Sequence, residues 1–122
     1  MVKYTLVDAE AKDIEVLTSM KSITMIDDVM DKKLSYEEKK KIKNNIATNI
    51  KDNYKYYKII YVGKVMAGAY ALTPHDDAMM LDQIYLMKEY RNQGIGTSIL
   101  KDIVANNRKV YLWVYKSNVD AL

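Results

Sequence analysis

The sequence predicts an α+β domain in which a mixed central sheet carries helices on both faces, in the order β-α-α-β-β-β-α-β. Three observations point to it. Residues 9–52 repeat their apolar side chains at helical spacing. Residues 54–87 are β-branched and aromatic, cut by short turns. Residues 92–115 read as a helix followed by an alternating strand, so the strand before that helix and the strand after it should run parallel in a right-handed crossover.

Taken in order, residues 2–7 read as a first strand, with Asp8 placed to cap the helix after it. Ile14, Leu17 and Met20, with Val16 and Ile23 beside them, give an amphipathic helix over residues 9–21. Thr24 and Asp27 form a small capping pattern over a short turn at residues 25–30. Ser35-x-x-Glu38 is a clearer capping box, and Ile42, Ile46 and Ile50 succeed it one turn apart in a second helix reaching about residue 52. The run YKYYKIIYV then starts a meander. Gly63-Lys64 is a two-residue hairpin link, residues 65–73 form the next strand, residues 74–77 a second turn, and residues 78–87 a third strand. In the helix predicted over residues 92–107, Ile95, Ile99 and Ile103 share a face with Leu100 and Val104 beside it. Val110, Leu112 and Val114 oppose Tyr111, Trp113 and Tyr115 in the last strand.

The 122 residues make one domain, residues 1–122, with 49% apolar side chains and no linker or repeat. The absence of Cys excludes a disulfide scaffold and thiolate metal sites, and one His, His75, leaves little for an imidazole zinc site, so no metal is expected. The charged opening MVKYTLVDAEAKD lacks an apolar signal segment, and uncharged stretches such as residues 65–72 fall far short of the ~20 that span a bilayer. A soluble cytoplasmic protein without membrane contact is expected. The net charge of +3 is divided, with residues 8–31 near −5 and residues 32–58 near +6. Such blocks are usually solvated helix faces. The lysine block with Tyr54, Tyr56, Tyr57 and Tyr61 is the one nucleic-acid-like feature. No nucleic-acid partner is expected from it, because a tyrosine-rich strand more often packs in a sheet.

The stretch Arg91-Asn92-Gln93-Gly94-Ile95-Gly96-Thr97 joins a strand to a helix start. Amides at a helix N-terminus, with no Cβ on Gly94 or Gly96, can seat a phosphate or pyrophosphate, and Arg91 can add a charge-assisted contact. Two glycines can equally serve only to make a tight turn. A Rossmann loop would need a third glycine where Ile99 stands, and a P-loop would need Gly-Lys-Ser/Thr, so both are excluded.

In this setting LDQIYLMKEYRNQGIGTSILKDIV resembles the acetyl-CoA-binding motif of the GNAT superfamily of N-acetyltransferases. Arg91, Gly94 and Gly96 satisfy that family's Gln/Arg-x-x-Gly-x-Gly/Ala signature, and LDQIYL is similar to its Leu-Glu-x-Ile-Tyr-Val strand. LWVYKSNVDAL resembles its fifth strand and the start of its fourth helix, with Asn118 and Ala121 at matching places. The resemblance implies acetyl-CoA as co-substrate and a GNAT-like fold whose final helix and last two strands are missing, since the chain stops at Leu122. It also implies roles by position. Ile84, Tyr85 and Leu86 would offer main-chain groups to the pantetheine arm and acetyl carbonyl. Arg91, Asn92, Gln93, Gly94, Ile95, Gly96 and Thr97 would hold the pyrophosphate, and Asn118 would sit near the thiol end.

Acetyl transfer to an amine needs that amine neutral, which for a pKa near 10.4 costs about 4.6 kcal/mol at pH 7. It also needs a base and preset donors for the charged oxygen. Asp82, standing where the similar strand has Glu, is the candidate base through a bridging water, and the Leu86 amide the candidate oxyanion donor. The alternative for Asp82 is a solvated carboxylate or one paired with a lysine. Where some relatives carry a catalytic Glu on the fifth strand, this chain has Trp113, and the Tyr that often protonates the thiolate would lie past Leu122. Asp27, Asp28 and Asp31 are candidates for attracting a cationic acceptor such as a polyamine or an aminoglycoside, a peptide or protein amine being the other class. The uncovered last strand predicts a homodimer. A non-catalytic acetyl-CoA- or CoA-binding module is the alternative function.

Overall fold

The computed structural model describes residues 2–24, 34–82 and 84–112. Its elements are β1 (Thr5–Asp8), α1 (Ile14–Ser22), α2 (Tyr36–Asn53), β2 (Tyr57–Val62), β3 (Val65–His75), β4 (Ala78–Leu81), β5 (Tyr85–Leu86), α3 (Ile95–Asn106) and β6 (Val110–Leu112). Taking β4 and β5 as two pieces of one strand, this is the expected order. The sheet runs β1-β2-β3-β4-β6, with β5 also on β3. Every pairing is antiparallel except β4 with β6, which is parallel and closes the predicted crossover through α3.

The two faces carry separate cores. On one, Leu17 and Met20 of α1 and Ile46 and Ile50 of α2 pack on Tyr57, Ile59, Ala69, Ala71 and Tyr85. On the other, Ile95, Ile99 and Ile103 of α3 pack on Ile60, Ala67, Tyr70, Leu81 and Ile84. The register of β2 on β3 slips between Ile60 and Tyr61. This bulge places Ala67 in the α3 core while Ala69 and Ala71 face α1 and α2. The Ser35 capping box forms as expected: Ser35 Oγ accepts from the Glu38 amide at 3.2 Å and Glu38 Oε1 accepts from the Ser35 amide at 3.3 Å.

Several boundaries differ from expectation. β1 starts at Thr5, and Asp8 is its last residue, bonded to Lys58 across the ladder instead of capping a helix. In the next turn Asp13 Oδ2 accepts from the Glu10 amide at 2.8 Å while the Asp13 amide donates to the Glu10 carbonyl at 2.9 Å. Pro74 and His75 belong to β3, leaving Asp76-Asp77 as the turn. Pro74 is tolerated because β2 has ended at Tyr57↔Ala71 and only β4 lies alongside, while Met79, opposite it, directs its N–H to Lys109 on the far side. Val104 is 56% exposed and lies outside the α3 core. The patterns placed on residues 25–30 and 113–115 lie outside the described residues, as do Asp27, Asp28, Asp31 and Asn118.

Candidate active site

The strand expected over residues 78–87 is broken, and the break shapes the site. In β4, Leu72 pairs with Leu81, and the Asp82 amide donates to the Ala71 carbonyl at 2.9 Å. In β5, Ala69 pairs with Tyr85 and Gly68 with Leu86. The register on β3 has shifted by one residue between the Leu81 and Tyr85 pairings. The Met87 amide donates to the Ala67 carbonyl at 2.8 Å. By the alternation of an antiparallel ladder, the Leu86 N–H and C=O therefore turn away from β3. Gly68 permits this crossing, since a Cβ there would collide with the Tyr85 carbonyl.

After β5 a 3-10 turn, Lys88–Tyr90, leads into the glycine loop. Asn92 (φ 61°) and Gly94 (φ 84°) both take left-handed backbone and turn the chain into α3, which starts at Ile95 rather than at Asn92. Gly94 is the N-cap; no side chain caps this end and no acid lies in its first turn, so its amides and the helix dipole favour an anion. Among the described residues a Cβ at Gly96 would make one ordinary contact, with Leu86 Cδ1 at 3.8 Å. These residues fit a pyrophosphate. Arg91 also ties the loop to β5, its Nε donating to the Leu86 carbonyl at 2.8 Å. Gln93 Nε2 donates to the Glu89 carbonyl at 2.7 Å. The Ile95 side chain is core, leaving only its amide for a ligand, whereas Asn92 and Thr97 are exposed.

Asp82 lies on the opposite face. Its Oδ2 accepts from Lys21 Nζ at 3.1 Å and from the Tyr85 hydroxyl at 3.3 Å, and Lys21 Nζ also donates to the Tyr57 hydroxyl at 3.2 Å. The Lys21 ammonium lies 5.9 and 5.2 Å from the ring centres of Tyr57 and Tyr85. Burial works to lower the Lys21 pKa, but the Asp82 charge and the Tyr57 hydroxyl outweigh it and hold the group above the usual lysine value. Burial likewise pushes the Tyr57 hydroxyl up, against the pull of Lys21. Asp82 is thus the lysine-paired carboxylate that the sequence left as the alternative. The Tyr85 side chain is packed in the core, 2% exposed.

A cavity of about 530 Å³ opens beside this cluster, lined by Asn49 and Asn53 of α2, Tyr57, Thr73, Met80 and Asp82 among others. The sequence reading missed Lys21 and Tyr57 as site residues. One signal was present: Lys21 stands four residues after Leu17 and seven after Ile14, a lysine on the apolar stripe of α1. His75, expected in a turn, is exposed at the end of β3, edge-on to Tyr111 with ring centres 6.0 Å apart. Among the described residues no cluster of three His, Asp or Glu is arranged to hold a metal, and no helix is long and apolar enough to cross a membrane.

The sequence profile of the family described as Acetyltransferase (GNAT) family matches residues 20–122. No curated protein sequence matches the chain. Among solved structures, the chain is similar to the PaiA N-acetyltransferase of Thermoplasma acidophilum in complex with coenzyme A. That pair shares 15% identity over 82% of this chain and 69% of the other, at a TM-score of 0.62. A predicted acetyltransferase with acetyl-CoA from Clostridium acetobutylicum is 19% identical over 99% of this chain and 86% of its own, with a TM-score of 0.56. An N-acetyltransferase from Staphylococcus aureus Mu50 is 15% identical over 96% of this chain and 85% of its own, with a TM-score of 0.67. At these identities the likeness is one of fold.

Proposed function

The chain belongs to the GNAT acetyltransferase family, and from that premise we propose that it moves the acetyl group of acetyl-CoA to a primary amine by direct attack in a ternary complex. One observation carries the reading. Leu81, Asp82, Ile84, Tyr85 and Leu86 stand between two openings on opposite faces, the N-terminus of α3 on one and the Asp82-lined cavity on the other.

In this reading the amides of Asn92, Gln93, Gly94, Ile95, Gly96 and Thr97 take the pyrophosphate, while Arg91 keeps the loop docked on β5. Backbone groups of Ile84 and Leu86 take the pantetheine arm, those of Tyr85, also expected there, being turned toward β3 by the alternation that turns Leu86 outward. The Leu86 N–H steadies the acetyl oxygen as it gains charge. The amine nitrogen bonds to the acetyl carbon and the carbon–sulfur bond breaks. The nitrogen gives up its extra proton through water toward Asp82, and the thiolate takes one from solvent. Asn118 for the thiol, as the family resemblance implies, and Asp27, Asp28 and Asp31 for attracting a cationic acceptor complete the assignment. A small amine such as a polyamine or aminoglycoside, or a peptide amine, is the acceptor class. The protein is taken to act in the cytoplasm as a homodimer across β6, where Tyr111 and Leu112 are 41% and 43% exposed. Elution as a monomer on gel filtration would remove that last element.

Calorimetric titration with acetyl-CoA tests the centre: micromolar binding is expected, and a folded sample that binds none refutes it. A second reading, a CoA-binding module without turnover, is favoured by the Lys21–Asp82 pair, because an Asp82 oxygen that already accepts from the Lys21 ammonium and the Tyr85 hydroxyl is less open to a bridging water. Binding of acetyl-CoA with no transfer to a panel of amines would establish that reading instead.

A further inference from the structure

We propose that Lys21 is a positioning residue that sets the charge state of the acceptor: by neutralising Asp82 from behind the cavity wall, it makes the amine bind as the free base. The inference rests on the reading that the acceptor nitrogen comes to Asp82. Asp82 lines the cavity. Lys21, 9% exposed, reaches the same carboxylate from α1 with its Nζ 3.1 Å from Oδ2.

The chemistry gives that placement a consequence. A lone carboxylate within about 4–6 Å of an alkyl ammonium stabilises the charged form and raises its pKa by roughly 1–3 units. Such a site would bind the acceptor well but hold it in the unreactive state. A buried ammonium on the far side of that carboxylate cancels the attraction and repels a second cation, while the carboxylate oxygens remain acceptors for a neutral N–H. Among the described residues, the titratable groups facing the pair are Tyr57 on β2 and Tyr85 on β5, with Tyr56 also lining the cavity. The two hydroxyls touch the pair as hydrogen-bonding groups, and Lys21 is the cation that, among the described residues, pairs with Asp82.

The test is calorimetric binding of butylamine to the CoA-loaded protein at pH 7.5, run in two buffers of different ionisation enthalpy so that proton release is counted. The parent is expected to release about one proton per amine bound, since the amine arrives in solution as ammonium. Lys21→Met should release almost none and bind roughly ten-fold more tightly, and Lys21→Arg should behave as the parent. If the Met variant does not fold, Lys21→Gln keeps a donor for Tyr57 and removes the charge. A merely structural lysine would weaken binding without altering the proton count. Release of the same proton by the charge-removing variant overturns the inference. Butylamine that fails to bind, or an affinity unchanged in Asp82→Asn, overturns instead the reading that the acceptor sits at Asp82, and the inference with it.

Discussion

At Gly68 a missing side chain decides whether β5 can lie against β3, because any Cβ would enter the Tyr85 carbonyl. Gly68→Ala is expected to cost more than about 3 kcal/mol or to abolish folding, read by urea unfolding, because neither backbone can yield cheaply. A loss under ~1 kcal/mol would mean that β5 does not run where described. Gly94 and Gly96 differ in what they ask of glycine. Gly94 holds φ 84°, so a valine there strains the backbone as well as blocking the loop. Gly96 sits in α3, where an added Cβ makes only an ordinary 3.8 Å contact with the flexible end of Leu86, so Gly96→Val strains the fold less than a change at Gly94 and reads chiefly the ligand effect. It should fold and weaken acetyl-CoA by at least ~2 kcal/mol in calorimetry; parent-like binding would reduce the loop to a turn. The glycine loop was legible because its residue types act through local backbone geometry. Lys21 was only faintly so: its partner Asp82 stands 61 positions away, and no local pattern joins them.

At the scale of the element, capping and periodicity governed what could be read. Ser35→Ala should lower stability by about 1 kcal/mol in thermal or urea unfolding, because both arms of the box are present. Ile99, 1% exposed on α3, should cost about 2–5 kcal/mol on truncation to Ala. Its exposed neighbour Val104 should cost under ~1 kcal/mol, and an equal loss at both would contradict the face assigned to α3. The third strand of the meander read as continuous because residues 78–87 keep strand-like composition throughout. The one-residue register shift between β4 and β5 comes from what lies opposite. β3 pairs Leu72 with Leu81 but Gly68 with Leu86, so the two pieces cannot share one register. The 3-10 turn at Lys88–Tyr90 escaped notice for a related reason, since three residues are too few to show a period.

Across the whole molecule, buried ionisable groups tie the two cores to pH. Burial, with Tyr4 and Asp102 nearby, pushes the Tyr70 hydroxyl up to about 12, and Lys21 is held above the usual lysine value. Both folded-state values are raised, so the folded chain keeps protons that the unfolded chain loses first. The associated stability is complete below about pH 10 and is lost as pH rises through the folded values. Urea unfolding is therefore expected to show stability falling between about pH 10 and 12, with a shallower fall in Tyr70→Phe. A flat alkaline limb in the parent would contradict the burial of Tyr70 and the pairing of Lys21 with Asp82.

Alone, the sequence determined the α+β class, the element order, the parallel crossover and the glycine loop, because each is written in neighbours a few residues apart: 3.6- and 2-residue periods, a capping box, a Gly-x-Gly at a helix start. The tertiary structure decided the rest. It paired Asp82 with Lys21, turned Leu86 off its ladder, and opened a cavity between α2 and the sheet. These depend on which distant residues share a dielectric and a register, and chain connectivity carries no record of that until the sheet closes.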